Sequence, residues 1–559
     1  MTKNIALIVT LISSLVFAQE YPGLRETDGS IHLIHTPHIS AVDTFNVLDY
    51  GADPLDNATD DQAALDQVYA RAGENDVIYF PPGYYNFNKG SIYKSTAHLK
   101  MKNGMNIIGA SKDSVFFISN FPLSTNENES TMLFYGSGVH DILIEGISFT
   151  STYSGTMPTS VSTNNPDESA PKYGIYLTAN GLWTPCYNIT IRDCDFELIR
   201  SQMVRISQSH DVVVKRCNFS NATDIGGGGA GYGVSIQGEG HEIFRDGYPA
   251  DCIHNLVDSC NFIGPYIRHG VIIQYTAHNN VVRDSYFYDT GYDAIDLHGE
   301  DEYLNEVYGN TVEDVLTGAG VGVGNTGAEH DASGRKNHIH HNTFNRCREG
   351  VKVYLESPET QIYNNIANDC SKGVYLLNAP NTNVIGNTFK NSLYGIHLAH
   401  DGGTLGNYDG DPDSVAIAEN ILQNNSYGLK FDAGTNIMLG ENQFENNTVA
   451  DSSFASGVTF LSYTGIEQGT VPNEFTLSPA YPNPFNPRTT FHYGLPESGI
   501  LRINIYDLQG CVINTLYNGY LDAGQYSMSW DAVGIPSGVY FLRMTAGNKS
   551  KTQKLLLLK

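Results

Sequence analysis

From about Tyr173 to Asn447 the apolar positions of the chain recur in two short patterns. One reads apolar-x-x-Cys/Asn-x-Phe, as in Ile191…Cys194-Asp195-Phe196, Val214…Cys217-Asn218-Phe219 and Val257…Cys260-Asn261-Phe262. The other reads Gly-apolar-x-apolar-x, as in GIYLT from Gly174, GVSIQ from Gly233, GVIIQ from Gly270 and GVKVY from Gly350. Alternation with a period of two is the mark of a strand, with apolar residues inward and each x outward. Self-similarity over a few tens of residues marks a stacked coil architecture. The first pattern puts Cys194, Cys217, Cys260, Ser285, Asn310, Asn342, Asn365, Asn387 and Asn420 in one ladder, neighbours about 4.8 Å apart. The second yields two outward columns. One runs through Arg205, Ser235, Ile272, Asp296, Gly322 and Lys352; the other through Ser207, Gln237, Gln274, His298, Gly324 and Tyr354.

The periods change outside this region. Residues 1–18 carry Lys3 and then an apolar run to Phe17, with Val16 and Ala18 small enough for a signal-peptide cleavage site. No later stretch reaches the roughly 18 residues of a membrane span. Residues 19–43 form a leader without clear period. Thr59 and Gln62 have capping-box spacing, Leu65, Val68, Tyr69 and Ala72 form a helical stripe, and Gly73 stops it. The coils extend over 44–449, residues 450–472 read as a linker, and 473–559 as a separate domain of alternating strands such as LRINIYDL and GVYFLRM.

Composition narrows the class. Lys and Arg total 32 against 60 Asp and Glu, a net charge of −28. That surface repels nucleic acid and anionic membranes, while a local basic groove could still hold an anionic polysaccharide. Charged residues are only 16% and Gly numbers 56, which favours an extracellular strand-rich protein over a helical cytosolic one. The eight cysteines show no zinc spacing. Export permits disulfides, but the ladder register makes the cysteines small buried hydrophobes.

The residues Asp49-Tyr50-Gly51-Ala52, Asp60-Asp61, Ala63-Ala64 and Phe80-Pro81-Pro82-Gly83-Tyr84-Tyr85 resemble the N-terminal segment of the pectate-lyase superfamily. The resemblance implies an all-β fold, a right-handed parallel β-helix whose open end is capped by the helix. It leaves lyase, hydrolase, epimerase and tailspike activities open. The motif YPNPFNP from Tyr481, with IYDLQG and GVYFLRM, resembles the C-terminal sorting domain of the type IX secretion system. That implies a small β-sandwich, export through the type IX machinery, and a secreted or cell-surface protein.

The stretch Thr290–Glu306 concentrates Asp293, Asp296, His298, Glu300, Asp301 and Glu302. Asp296 and His298 stand in the outward columns, and Lys352 and Tyr354 stand two coils away, about 10 Å. Gly322 and Gly324 between them suggest a flat gap where a sugar could lie. The candidate catalytic residues are therefore Asp293, Asp296, His298, Lys352 and Tyr354. Arg205, Gln237, Gln274, His269, His330, Arg335 and Arg348 are the candidate substrate-binding residues. A lyase would need a cation, often Ca²⁺, to neutralise a uronate carboxylate, and Lys352, His298 or Tyr354 as base; Asp293, Asp296, Glu300 and Asp301 are the candidate calcium ligands. Asp293-Ala-Ile-Asp296-Leu resembles the acidic segment of a calcium-dependent, lysine-dependent pectate lyase family, whose catalytic Lys would fall at Gly322. A hydrolase would instead pair Asp296 with Asp293, Glu300 or Asp301. The expectation is a monomeric enzyme that cleaves a uronic-acid polysaccharide by elimination, with glycoside hydrolysis and a non-enzymatic glycan-binding β-helix as alternatives. Asp409-Gly-Asp411-Pro-Asp413 has the alternating acids of a weak calcium loop.

Overall fold

In the computed structural model, described residues are 18–26, 30–35, 37, 42–55, 59–92, 95–122, 130–181, 184–238, 251–299, 302–325, 335–402, 409–460, 474–496, 499–510, 512–521, 524–532, 535–547 and 549–558. The chain forms two compact units that divide between Leu461 and Ser462. Most of the signal-peptide reading and much of the linker fall outside the described residues.

The first unit is a right-handed parallel β-helix. Each coil contributes one strand to each of three long parallel sheets. Inward residues of all three meet in one core, in which Phe149, Phe196, Phe219, Phe262 and Phe287 stack at centroid spacings of 5.0, 5.1, 4.8 and 4.7 Å. This spacing is the strand repeat itself, so each phenylalanine covers the next and none meets water.

The corner ladder follows the sequence register. Cys260 N–H donates to Ser285 Oγ (3.1 Å) and Ser285 N–H to Asn310 Oδ1 (3.0 Å). From Asn310 onward each asparagine is bonded to the next by backbone and amide donors, as in Asn342 to Asn365 at 3.0 Å for both. The seven described cysteines are unpaired thiols. Their sulfurs donate to carbonyls instead, Cys260 to Val214 O (3.5 Å) and Asp258 O (3.4 Å).

Asn365 is fully buried, and its Oδ1 accepts both Asn342 donors while its Nδ2 reaches Ile339 O at 2.8 Å. Replacing it by alanine leaves several buried groups unsatisfied at about 1–3 kcal/mol each. A loss of about 3–5 kcal/mol is expected, read as a lower denaturant midpoint for the helical unit.

Two N-terminal readings need correction. Helix α1 (Gln62–Arg71) does cap the coil end, burying Leu65 and Val68, but Asp61 precedes it rather than a Thr59 capping box. Asp60 Oδ1 accepts the Gln62 amide (3.1 Å), and the buried Asp61 carboxylate accepts from Asp53 N and Asn86 N, both 2.8 Å. These bonds tie the helix to a neighbouring strand, which a local capping box could not do. The leader, read as lacking period, holds an antiparallel hairpin of Ala18–Arg25 and Ile31–His35. Leu24 and Ile34 pack on Val213, Leu256 and Val281, outward residues of one sheet. A two-residue apolar contact is too sparse to show as a pattern.

The second unit is a small antiparallel β-sandwich. A three-stranded and a four-stranded sheet share a core that includes Trp530, Phe491, Ile503 and Leu542.

Candidate active site

Six neighbouring strands of one sheet carry the site: β1 (Gln202–Ser207), β2 (Tyr232–Gln237), β3 (His269–Gln274), β4 (Ile295–Gly299), β5 (Ala319–Asn325) and β6 (Glu349–Tyr354). Their register pairs Arg205 with Ser235, Ser235 with Ile272, Ile272 with Asp296, Asp296 with Gly322 and Gly322 with Lys352. His298 faces Gly324, and Gly324 faces Tyr354.

The expected gap over the glycines is closed by the protein's own side chains. A Cβ on Gly324 would stand 2.6 Å from the Tyr354 ring, and one on Gly322 would stand 2.8 Å from Asp293 Oδ2 and 3.4 Å from Asp296 Oδ1. The glycines thus make room for Tyr354 and the two carboxyls, not for a sugar. Tyr354 lies back across β5, so its hydroxyl comes within 3.4 Å of His298 Nδ1. The Lys352 ammonium sits 3.7 Å from the centre of the Tyr354 ring. Side chains about 6 Å long close a 10 Å backbone separation, which a count of coils does not reveal.

Gly322→Ala tests this packing. The new methyl displaces the Asp293 carboxyl, which Ala319 N–H holds at 2.5 Å. Activity should fall about 10- to 100-fold, as for a misplaced reacting group, while thermal unfolding shifts by only a few degrees.

Asp293 and Asp296 are each 4% exposed. Burial pushes both carboxyls up to about 7, and for Asp293 the neighbouring Asp296 adds to the rise. They behave as a pair that retains a proton near neutrality. Asp296 Oδ1 is buried without a hydrogen-bond partner. Burial pushes His298 down to about 4, against the pull of Asp293. It pushes His269 down to about 3 as well, with help from Arg268. Lys352 is also lowered by burial, and the Tyr354 phenol is raised well above its usual value.

Open space lies on the other side of Asp296, above β1 to β3. A cavity of about 630 Å³ is lined there by Arg205, Gln237, His269, Gln274, Asp296, His298, Lys352 and Tyr354, among others. The Arg205 guanidinium is fixed by Tyr173 Oη and Ser207 Oγ, both 3.0 Å. Arg348 is absent from the lining; it pairs with Glu349 at 3.4 Å and donates to Thr317 O. Arg335 is exposed and does not line the cavity either. His330, Glu300 and Asp301 lie outside the described residues.

The cavity also contains Gln202, Tyr232, Arg268 and Tyr292, which the two columns did not include. A third column exists at the residue before each repeat glycine. Gln202 faces Tyr232 and Tyr232 faces His269, and Asp293 holds the equivalent place in the next coil. Extending the repeat alignment by one residue would have found it. Arg268 just before it bonds His269 Nε2 (3.3 Å) and Ile225 O (3.2 Å), which ties the site to the glycine-rich loop after Asn221. The buried Asp224 holds that loop by accepting from Gly226 N–H and pairing with Arg200 (3.0 Å).

The candidate metal ligands regroup. Asp293 and Asp296 come together with His269, one donor atom of each lying within 4.8 Å of the others. Two carboxylates and an imidazole are not the six to eight oxygens Ca²⁺ favours. In the Asp409–Asp413 segment, Asp409 and Asp411 bind His400 (2.9 and 2.7 Å) whereas Asp413 accepts from Thr435, so the three acids do not converge.

Three family models match the chain. Residues 44–253 match the rhamnogalacturonase A/epimerase, pectate lyase-like model, residues 253–470 the model of the periplasmic copper-binding protein NosD, and residues 479–558 the secretion system C-terminal sorting domain. Strands β4 to β6 lie in the second of these segments. No curated protein matches the chain. Among solved structures, the A-modules of the mannuronan C-5 epimerases AlgE6 and AlgE4 of Azotobacter vinelandii are similar at 16% and 13% identity. They cover 75% of this chain and 98% and 100% of their own, with TM-scores of 0.38 and 0.43. Gene product 12 of bacteriophage phi29 is 15% identical over 71% of this chain and 52% of its own, with a TM-score of 0.53, a likeness of fold. The chain is a right-handed parallel β-helix protein, pectate-lyase-like over its first coils, with a C-terminal sorting domain that marks it for type IX secretion to the cell surface or beyond.

Proposed function

We propose that the protein cleaves an extracellular uronic-acid polysaccharide by β-elimination at the Asp296–His298 coil. The observation that carries this reading is the placement of a proton-retaining carboxyl pair beside a neutral imidazole and a phenol, at the end of a cavity containing Arg205, Arg268 and Lys352. Elimination requires that charge be drawn from the uronate carboxylate, so that the neighbouring C5 proton becomes acidic. A buried carboxylic acid that keeps its proton can donate a hydrogen bond to that carboxylate, and the cavity's cations add to the effect. His298, neutral above about pH 4, accepts the C5 proton. The Tyr354 hydroxyl gives its proton to the departing O4. The C5–H and C4–O4 bonds break and a C4–C5 double bond forms. The elimination is written through the protein's own groups, with no step through calcium.

Hydrolysis needs two carboxyls flanking the bond from opposite sides, about 6.5–9.5 Å apart for inversion or about 5–5.5 Å for retention. Asp293 and Asp296 instead share one side, above Gly322. The test is incubation of the purified protein with polymannuronate, polyguluronate and polygalacturonate, following ultraviolet absorbance of the unsaturated uronate product alongside new reducing ends. Both signals should rise together. Reducing ends without absorbance would replace elimination with hydrolysis, and neither signal on any uronate polymer would remove the reading.

A further inference from the structure

A second cluster of titratable side chains lies away from the cavity, where the N-terminal hairpin meets the outer face of the coils. It draws on the hairpin (Glu26, His32) and on two successive coils (Asp211, His254). His32 bridges two carboxylates, with Nδ1 at 2.7 Å from Glu26 Oε1 and Nε2 at 2.5 Å from Asp211 Oδ1. Its ring lies flat on that of His254, with centroids 3.7 Å apart and planes 10° from parallel. His254 Nε2 is 3.6 Å from Glu26 Oε2 and 3.1 Å from the Arg25 carbonyl. One donor atom each of Glu26, His32 and His254 lies within 4.8 Å of the other two.

We propose that Glu26, His32 and His254, with Asp211 beside them, form a site for a divalent transition ion of the Zn²⁺ type that fastens the N-terminal hairpin to the β-helix. Two imidazoles and a carboxylate are the ligand types Zn²⁺ selects, each about 2.0–2.2 Å from the metal. Donors on one tetrahedral ion stand about 3.4 Å apart. The donor atoms are close enough for one ion, but a metal lies in the plane of each imidazole that binds it, so the two rings must swing out of their parallel stack to ligate together. Two carboxylates and two neutral imidazoles carry a charge of −2, which a divalent ion neutralises.

Two carboxylates face the two rings here, with His32 between Glu26 and Asp211 and His254 Nε2 at 3.6 Å from Glu26 Oε2. Once the stack opens, one ion can engage both rings and the carboxylate between them. Among the described side chains, the hairpin contributes Leu24 and Ile34 to the buried contact cluster. Ligands from both partners would add a metal-bridged tie to the hydrogen bonds His32–Asp211, His254–Arg25 O and Asn279–Arg25 O. His254 is 7% exposed and Glu26 half-exposed, so the site is partly shielded and still open to the medium.

The test uses the full-length protein stripped with chelator and dialysed into metal-free buffer. Titration with Zn²⁺ by calorimetry, with metal analysis after desalting, is expected to give a tight equivalent per chain and a higher unfolding temperature. His32→Gln and His254→Gln should each lose that equivalent and the thermal shift. Glu26→Gln, at a half-exposed position that leaves folding unaffected, should weaken binding at least about tenfold. Asp293→Asn and Asp296→Asn should keep the equivalent, which separates this site from the carboxyl pair in the cavity. No tight equivalent in the wild type, or one that survives all three cluster substitutions, overturns the proposal.

Discussion

His298→Gln should lower the rate of unsaturated product formation by about two to four orders of magnitude, the usual worth of a positioned general base. Glutamine keeps much of the imidazole's volume but cannot accept a proton at neutral pH. Tyr354→Phe should cost less, about 10- to 100-fold, because the ring still covers Gly324 and only the hydroxyl near His298 is lost. The double variant should fall little below His298→Gln, since the two groups act as a unit. The wild-type profile should be bell-shaped. On the acid side His298 must be deprotonated, so activity rises through about pH 4. On the alkaline side the carboxyl pair must keep a proton, so activity falls above about pH 7. Initial rates of kcat/KM between pH 3 and 9, numbers set by those two limbs, measure both. A wild-type rate in His298→Gln would remove His298 as the base.

Asp296→Asn should make the protein less active and more stable. The carboxyl has a folded pKa of about 7, above its ordinary value near 4. Folded protein therefore holds the proton more tightly than unfolded protein. The stability linked to that proton is complete below about pH 4 and is lost as pH rises through about 7. Asparagine stays neutral throughout, so the variant should match the wild type near pH 4 and exceed it by about 2–4 kcal/mol at pH 8. Part of that gain belongs to Asp293, whose raised value owes something to Asp296. Denaturant melts of both proteins at pH 4, 6 and 8 measure the divergence. The two buried histidines act in the opposite sense. Their lowered values favour the folded state as pH rises through about 3 to 6.5, so in the wild type the two effects oppose and flatten the profile, while both proteins share the histidine part. The comparison with the variant isolates the carboxyl. Loss of activity with gain of stability is the signature of a strained functional site.

The repeat made most of the fold legible. Period-two alternation and a corner slot shared by Cys, Ser and Asn sufficed to align coils, because a one-residue slip would turn every core residue outward. That alignment placed Asp296 beside Gly322 and Gly322 beside Lys352. It also identified Ile295 and Leu297 as core, both fully buried. The leader hairpin was not legible, since its hold on the coils rests on a few contacts between residues some 180 to 250 positions apart. The capping of α1 was misread for a related reason: Asp61 bonds across sequence, not along the helix.

By itself, then, the sequence determined the coil register, the sorting domain and which residues of the Asp293–His298 stretch point away from the core. All three depend on local patterns repeated along the chain. The tertiary structure decided how the outward side chains meet. Long side chains swing across strands, so Tyr354 covers Gly324 and reaches His298, and the sugar-sized space moves to the neighbouring coils beside Arg205 and Gln274. Burial decided the rest, because the depth of Asp293 and Asp296 sets whether they hold a proton, and depth is a property of the assembled coils.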